Sequence, residues 1–159
     1  MMTTTVRQML TGKRGIYSVT PDDTMYDALS LMADKNIGAV VVLSEGEIRG
    51  ILSERDYARK VALLGRTSQS TPVGEVMTTS VICVDPEWTA DRCMTLMTDK
   101  RIRHLPVIED GRLIGIVSIG DIVRALEGPI ALSHCLEPGE SGDCSQTEDC
   151  VARMGWAKV

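Results

Sequence analysis

The sequence predicts an α/β (α+β) fold made of two copies of one β-α-β-β-α unit, followed by a separate loop-rich tail. The main observation is an internal repeat. Residues 19–61 align with residues 84–126 without a gap, at an offset of 65, and 15 of the 43 aligned positions are identical. The second observation is the length of each unit, which is too short to bury its own sheet. We therefore expect the two copies to pack against each other with pseudo-twofold symmetry.

The charge of the chain divides where the repeat ends. Residues 1–126 hold 15 basic and 16 acidic side chains, whereas residues 127–159 hold two basic and six acidic ones, so the tail accounts for −4 of the net charge of −5. With 43% hydrophobic and 25% charged residues, the composition is typical of a globular protein. The expected organisation is a first repeat at 5–66, a second repeat at 67–127 and an acidic, cysteine-containing tail at 128–159.

Each copy is predicted to begin with a short strand and a helix. The strands are expected at Ile16–Val19 and Val81–Val84, each before a Pro turn. In the helices, apolar residues recur at spacings of three and four, which places them on one face. These residues are Met25, Ala28, Leu29 and Met32 in the first copy, and Ala90, Cys93, Met94 and Met97 in the second. Cys83 and Cys93 are both expected in the core.

A β-hairpin and a closing helix are predicted to complete each copy. The hairpin strands are expected at Ala39–Leu43 and Ile48–Ser53, and at Leu105–Ile108 and Leu113–Ser118. The dipeptides Glu45-Gly46 and Asp110-Gly111 predict tight turns between these strands. The closing helices are expected at Arg55–Leu64 and Gly120–Leu126.

A further match lies upstream of the repeats. Val6-x-x-Met9-Leu10-Thr11 corresponds to Val73-x-x-Val76-Met77-Thr78 at an offset of 67. The first copy therefore has two extra residues near Gly12 to Gly15.

Both copies place the motif Gly-Ile-x-Ser-x-x-Asp where the last strand meets the closing helix, at residues 50–56 and 115–121. A hydroxyl and the free N–H groups of a helix start can hold phosphate oxygens, and a carboxylate three residues later can accept two hydrogen bonds from a ribose diol. The alternative is structural, with Ser53 and Ser118 capping the helices and an Asp complementing the helix dipole. The motif alone leaves both interpretations open.

Residues 5–126 resemble a pair of cystathionine beta-synthase (CBS) domains, or Bateman module, in this motif and in Ile102-Arg103-His104-Leu105-Pro106-Val107. The resemblance implies that the Asp of the closing helix binds ribose and that the neighbouring Ser approaches ribose or phosphate. It also implies that adenine lies against backbone and apolar side chains of the opposite repeat. One implied cleft combines Ser53, Arg55 and Asp56 with Ile82, Arg103 and His104. The other combines Ser118 and Asp121 with Ile16, Tyr17, Gly38 and Ala39.

The two implied clefts differ where a phosphate would lie. Arg101, Arg103 and His104 offer charge-assisted donors to a polyphosphate. The first copy has Gly38 and Ala39 in the corresponding stretch, which leaves room for a base or a neutral group. A solvated surface run is the alternative interpretation of the basic residues.

The tail contains Glu127-Gly128-Pro129-Ile130-Ala131-Leu132, followed by Cys135, Cys144, Cys150 and Trp156. In these residues it resembles the cysteine segment of Rrf2-type transcription regulators, which hold an iron-sulfur cluster. Eight residues separate Cys135 from Cys144, and five separate Cys144 from Cys150. Thiolates on an adaptable loop suit iron, so these three cysteines are candidate ligands. Arg153 stands where some members of that family place a fourth ligand, so a cluster would need His134, a carboxylate or another subunit. The alternatives are a disordered acidic tail with incidental cysteines, a relic and an artificial join.

We predict a non-catalytic regulatory module, because an isolated CBS pair resembles small proteins that bind AMP, ATP, ADP or NAD and alter a partner protein. The resemblance also implies a homodimer formed through the helix pairs. The second hypothesis is a redox or iron sensor that uses the tail cysteines and a dimeric CBS scaffold. An enzyme is the least favoured class, since no nucleophile, general base and oxyanion donors can be assembled from these motifs.

Charge and hydropathy exclude two other classes of partner. Net acidity disfavours direct binding to nucleic acid. No apolar run approaches the roughly 20 residues of a membrane span, and the first residues lack the apolar stretch of a signal peptide. We therefore expect a cytoplasmic protein with no membrane contact.

Overall fold

The elements of the two repeats follow the same order, except that the second repeat has no opening strand in the described part of the chain. The structure is a computed structural model that describes residues 3–13 and 15–127. The first repeat contains α1 (Val6–Leu10), β1 (Ser18–Val19), α2 (Met25–Lys35), β2 (Ala39–Ser44), β3 (Glu47–Ser53) and α3 (Glu54–Tyr57), which continues as a π-helical turn at Ala58–Ala62. The second repeat contains a 3-10 turn (Val73–Glu75), α4 (Ala90–Lys100), β4 (His104–Glu109), β5 (Arg112–Ser118) and α5 (Ile119–Glu127).

The two predicted hairpins are present with matching registers. Ala39 faces Ser53 across β2 and β3, and His104 faces Ser118 across β4 and β5. Both hairpins carry the same irregularity, between Val42 and Leu43 and between Val107 and Ile108. The predicted turns have two residues of positive φ, at 54° and 78° for Glu45-Gly46 and at 49° and 76° for Asp110-Gly111, as a type I′ turn requires.

The prediction of an opening strand at Val81–Val84 is wrong, because the structure describes these residues and has no strand there. The first repeat has a two-residue parallel pairing between β1 and β2, whereas the second has only an isolated bridge from Val84 to Val107. Pro106 explains the difference, because it has no N–H to donate to the neighbouring strand. Val41 occupies the equivalent place in β2 and has this donor. Cys83, expected in the core, lies in this unpaired segment and is exposed, while Cys93 is buried.

The hydrophobic core consists of two clusters, and the segments that precede the repeats are exchanged between them. Val73 and Val76, which lead into the second repeat, are buried in the cluster that contains β2 and β3. Val6 of α1 is buried in the cluster that contains β4 and β5, together with partly buried Leu10. Each repeat therefore completes its core with the leading segment of the other.

This exchange accounts for the glycine of the repeated motif. A Cβ at Gly50 would lie 2.8 Å from Met77 Sδ and 2.9 Å from the carbonyl oxygen of Thr78. A Cβ at Gly115 would lie 2.7 Å from Leu10 Cδ2. The leading segments thus approach β3 and β5 so closely that neither position has room for a side chain.

None of the helices in the described ranges is long and apolar enough to cross a membrane.

Candidate functional site

A cavity of about 360 Å³ lies between the two repeats, and residues of both repeats line it. We call it the Asp56 cleft. It gathers all six residues that the sequence placed in the first implied cleft: Ser53, Arg55, Asp56, Ile82, Arg103 and His104. Gly38, which the sequence placed in the second implied cleft, lines this cavity as well.

Asp56 is held in place by the start of its helix. Its Oδ2 accepts hydrogen bonds from the backbone N–H and the hydroxyl of Ser53, both at 2.9 Å. The Asp56 N–H in turn donates to Ser53 Oγ at 3.3 Å, which completes a capping box. The structural interpretation of the motif is therefore confirmed. It does not exclude a ligand, because the cap fixes the carboxylate at the wall of the cavity.

The second oxygen of Asp56 faces exchangeable partners. Lys60 Nζ lies 2.9 Å from Oδ1, and the Thr78 hydroxyl donates to the same atom over a long 3.4 Å. Lys60 is 44% exposed, so its ammonium can turn into water, and in doing so it gives up its hydrogen bond to the Val76 carbonyl. A hydroxyl pair of a ligand can then take these acceptor positions.

The cavity wall carries the carboxylates of Glu54 and Asp56 and four arginines, so its net charge is positive. The arginines come from both repeats: Arg55, Arg59, Arg101 and Arg103. No carboxylate in the described residues forms an ion pair with any of them, although other basic side chains of the chain are paired. Arg101 has a φ of 53°, the left-handed conformation that ends α4, as Asn36 ends α2. This cap places an arginine where asparagine is the more usual residue.

His104 lines the same cavity and senses charges on both repeats. Burial lowers the pKa of its imidazole below the ordinary value of 6.5, and the positive charges of Lys13, Arg103 and Arg55 lower it further, while Asp121 opposes them. A Cβ at Gly38 would lie 3.6 Å from His104 Nε2. The ring is therefore neutral near pH 7 and lies against the backbone of the first repeat.

Asp121 has the same cap but different surroundings. Its Oδ2 accepts from the Ser118 N–H at 2.7 Å and from the Ser118 hydroxyl at 2.9 Å. It also forms ion pairs with Lys13 and with Arg124, the latter at 2.5 Å. Burial alone would raise the pKa of Asp121, but the hydrogen bonds from Lys13 and Ser118 hold it below its ordinary value of 3.8.

Asp121 and the four residues expected to hold a base in the second implied cleft do not line one common cavity. Asp121 lies in a separate depression of about 420 Å³, which we call the Asp121 depression. Its other lining residues are Thr4, Met9, Thr11, Gly12, Lys13, Arg124 and Ala125. None of the four expected base-binding positions lines it. Ile16 is 41% exposed, Tyr17 packs against the first core cluster, Gly38 lines the Asp56 cleft and Ala39 is buried.

Sequence reasoning missed three residues that matter here. Arg59 and Thr78 line the Asp56 cleft, and Lys13 pairs with Asp121. Each had a signal in the sequence. Arg59 repeats as Arg124, Thr78 repeats as Thr11 at the offset of 67, and Lys13 lies in the two-residue insertion.

The predicted cluster ligands Cys135, Cys144 and Cys150 lie outside the described residues. Within the described ranges, no group of three or more His, Cys, Asp or Glu side chains could hold a metal ion.

Comparison with known proteins identifies the repeats. The profile of the CBS domain matches residues 6–63 and 73–128. The chain belongs to the CBS-domain family. The CBS domain-containing protein CBSX3 of Arabidopsis thaliana, described as mitochondrial, is 54% identical over 112 residues. That match covers 67% of this chain and 54% of the plant protein, so it spans about half the length of that relative.

Solved structures of CBS pairs have the same fold. A CBS-domain protein from Burkholderia ambifaria is 52% identical with a TM-score of 0.75, over 77% of this chain and 93% of that chain. The CBS domain pair of protein MJ0100, in complex with 5-methylthioadenosine and S-adenosyl-L-methionine, is 25% identical with a TM-score of 0.69. That similarity covers 80% of this chain and 98% of the other. CBS pairs are regulatory modules, and this neighbour binds adenosine ligands.

Proposed function

We propose that this chain is a non-catalytic regulatory module that binds an adenine nucleotide of the AMP, ADP, ATP or NAD type in the Asp56 cleft. The observation that carries the proposal is the combination of a fixed carboxylate with four arginines that form no ion pair with a described carboxylate, on the walls of one cavity. The adenosine compounds bound by the CBS pair of MJ0100 support the same ligand class.

Each wall of the cleft suits one part of a nucleotide. Asp56 offers carboxylate oxygens to the ribose diol. The apolar wall formed by Val81, Ile82 and Pro106 offers a surface for the base. The arginines can donate paired, charge-assisted hydrogen bonds to phosphate oxygens. Ser53 contributes mainly by positioning, because its hydroxyl proton already goes to Asp56.

Regulation requires that the ligand favours one arrangement of the chain over another. Lys60 provides a route, since its Nζ contacts Asp56 Oδ1 and also donates to the Val76 carbonyl at 2.9 Å. Val76 belongs to the leading segment that packs on the first core cluster. A ribose that displaces Lys60 therefore loosens the contact between the helix of Asp56 and this segment. A regulated protein would respond to this change.

The experiment is isothermal titration of the full chain with AMP, ADP, ATP and NAD. Asp56→Asn is expected to weaken binding by at least tenfold, because a hydrogen bond to a charged group contributes about 1.5–3 kcal/mol. Asp110→Asn is the matched control, since Asp110 lies in an exposed turn outside the cleft and Asn fits that turn. Absence of binding by the wild-type chain, or equal affinities for the two variants, would contradict the proposal.

A homodimer and a cytoplasmic location belong to the same proposal. Large apolar side chains remain exposed at the ends of the helices: Tyr26, Leu63, Leu64 and Leu126. Leu63 is 80% exposed and Leu64 is 67% exposed, so an interface at this place would remove apolar surface from water. Light scattering is expected to give a dimer for the wild type and for the control Gln69→Glu. The double variant Leu63→Glu and Leu64→Glu is expected to give a monomer, and a dimer of unchanged stability would refute this interface.

A further inference from the structure

We propose that Lys13 acts as an internal counter-ion that closes the second nucleotide position of this chain, so that each chain binds one nucleotide, in the Asp56 cleft. The inference rests on the proposed function and makes it specific, because the repeated motif by itself predicts two equivalent positions. It assigns a role in ligand selection to a residue of the insertion that breaks the repeat.

Lys13 takes the place that a ligand would need at Asp121. Its Nζ pairs with Asp121 Oδ2 and also donates to the Ile116 carbonyl at 2.9 Å. The ammonium therefore bridges the motif's Asp to the last strand of the same repeat. Asp121 is only 6% exposed, and Lys13 is 37% exposed, so the pair is more shielded from water than the Lys60 pair of Asp56.

A count of acceptor positions separates the two carboxylates. A carboxylate accepts about four hydrogen bonds. Asp121 receives two from Ser118 and one from each of two cations, Lys13 and Arg124. Asp56 receives two from Ser53, one from a lysine and a fourth, from the Thr78 hydroxyl, that is long at 3.4 Å. A diol can thus bind Asp56 by displacing one exposed lysine, whereas at Asp121 it must separate two cations from a buried carboxylate.

The origin of this difference is the insertion itself. Between the matched residues Thr11 and Ile16 the first copy has Gly12-Lys13-Arg14-Gly15, where the second copy has Thr79-Ser80. Gly12 and Gly15 have φ values of 85° and 69°, so the inserted chain turns through conformations that favour glycine. The Lys13 N–H donates to the Leu10 carbonyl at 3.1 Å, which ties this turn to α1. Ser80, at the corresponding place of the Asp56 cleft, carries no charge.

The shape of the surface agrees with the contacts. The Asp56 cleft is walled by both repeats, including an apolar wall for a base. The Asp121 depression is lined by α1, the insertion and α5, and none of the four residues expected to hold the base lines it. A nucleotide placed at Asp121 would therefore have to displace Lys13 before its diol could bind, and its base would make fewer contacts than in the Asp56 cleft.

The test is the binding stoichiometry of the full chain, measured by titration with AMP and ATP. The wild type is expected to bind one nucleotide, with binding weakened at least tenfold in Asp56→Asn and retained in Asp121→Asn. Lys13→Met and Lys13→Gln are expected to raise the stoichiometry to two, with the second event weaker than the first by tenfold or more. Adding Asp121→Asn to either variant should return it to one. Lys13→Arg, which keeps the charge, is the control and should bind one.

The outcomes distinguish this inference from the proposed function. A wild-type chain that binds two nucleotides, one of them lost in Asp121→Asn, supports the proposed function and overturns the role of Lys13. A single binding event in both neutral Lys13 variants also overturns it, and agreement between the two variants guards against a folding defect in one. A wild-type chain that binds no nucleotide overturns the proposed function and this inference together.

Discussion

Asp56 and Asp121 occupy equivalent positions of one motif, yet the cleft beside Asp56 gathers the residues expected there, whereas the depression beside Asp121 is lined by none of the four expected base-binding residues. Both carboxylates are fixed by the same serine cap, on hairpins with the same register. They differ in what approaches from outside the motif: Asp56 meets a lysine of its own helix, and Asp121 meets Lys13 from the insertion. The motif thus determines where the carboxylate lies, and residues outside it determine whether a ligand can reach it.

The largest difference between the two copies of the motif is expected at their glycines, Gly50 and Gly115. Gly50→Ala is expected to lower the free energy of unfolding by about 3 kcal/mol, and Gly115→Ala by about 1 kcal/mol. The new methyl at Gly50 would meet the Thr78 carbonyl, which the Ile51 N–H holds at 3.0 Å. The methyl at Gly115 would meet only the flexible end of Leu10. Urea denaturation measures both losses of stability. Equal losses would show that the chain packs as rigidly against Gly115 as against Gly50.

The next test compares the two carboxylates directly. Asp121→Asn is expected to lower the free energy of unfolding by about 2 kcal/mol and Asp56→Asn by about 1 kcal/mol, because only the first leaves two cations without their partner. Thermal or urea unfolding at neutral pH gives both values.

The acid dependence of the Asp121 effect has a definite sign. The pKa of Asp121 in the folded chain lies below its ordinary value of 3.8, so the ionised form contributes stability above pH 3.8. This contribution is lost as the pH falls below 3.8 through the folded-state pKa, and the difference between wild type and Asp121→Asn should shrink in that range. A difference that stays constant on acidification would contradict the ion-pair explanation.

Arg101 and Asn36 form a matched pair of helix ends with the same φ of 53°. Arg101→Asn is expected to raise the free energy of unfolding by about 1 kcal/mol, because asparagine accepts the left-handed conformation more readily. The same change should weaken ATP binding roughly fivefold by removing a cation from the cleft. Arg49→Asn, on the distant end of β3, is the control and should leave binding unchanged. Tighter ATP binding by Arg101→Asn would show that this arginine does not face the phosphates.

The smallest expected effect concerns His104, whose counterpart in the first repeat is the non-titrating Ala39. Because the folded-state pKa lies below 6.5, the unfolded chain takes up the proton first as the pH falls. Stability should therefore decline from about pH 6.5 downward, by less than about 1.4 kcal/mol per pH unit, until the folded-state pKa is reached. His104→Gln should remove this decline between pH 6.5 and 5.5. An identical decline in wild type and variant would assign it to other groups.

Local sequence was sufficient to predict the hairpins and the carboxylate positions. The turns at Glu45 and Asp110, the strands on either side and the serine caps all depend on residues that are close together in the chain. The six residues expected in the first cleft also meet in one cavity. The resemblance to the CBS family supplied their grouping, which spacing alone did not.

The remaining features depend on contacts that local patterns do not encode. The strand expected at Val81–Val84 is shortened by the missing N–H of Pro106 in another strand. The pairing of Lys13 with Asp121 joins residues 108 positions apart. A match between repeats locates such residues as exceptions, but it does not show what they touch.

The exchanged leading segments also constrain the order in which this chain can fold. The Val6 N–H bonds the Trp88 carbonyl at 2.8 Å, and Arg7 pairs with Glu87, 80 positions away. During synthesis, the core around the first sheet stays incomplete until the leading segment with Val73 and Val76 has emerged. Helix α1 in turn has no sheet to pack against until β4 and β5 have formed. Closing loops of this length is slow and couples both halves into one cooperative transition. Fragments cut between the repeats should therefore be poor folding units, although each contains a complete copy of the repeated sequence.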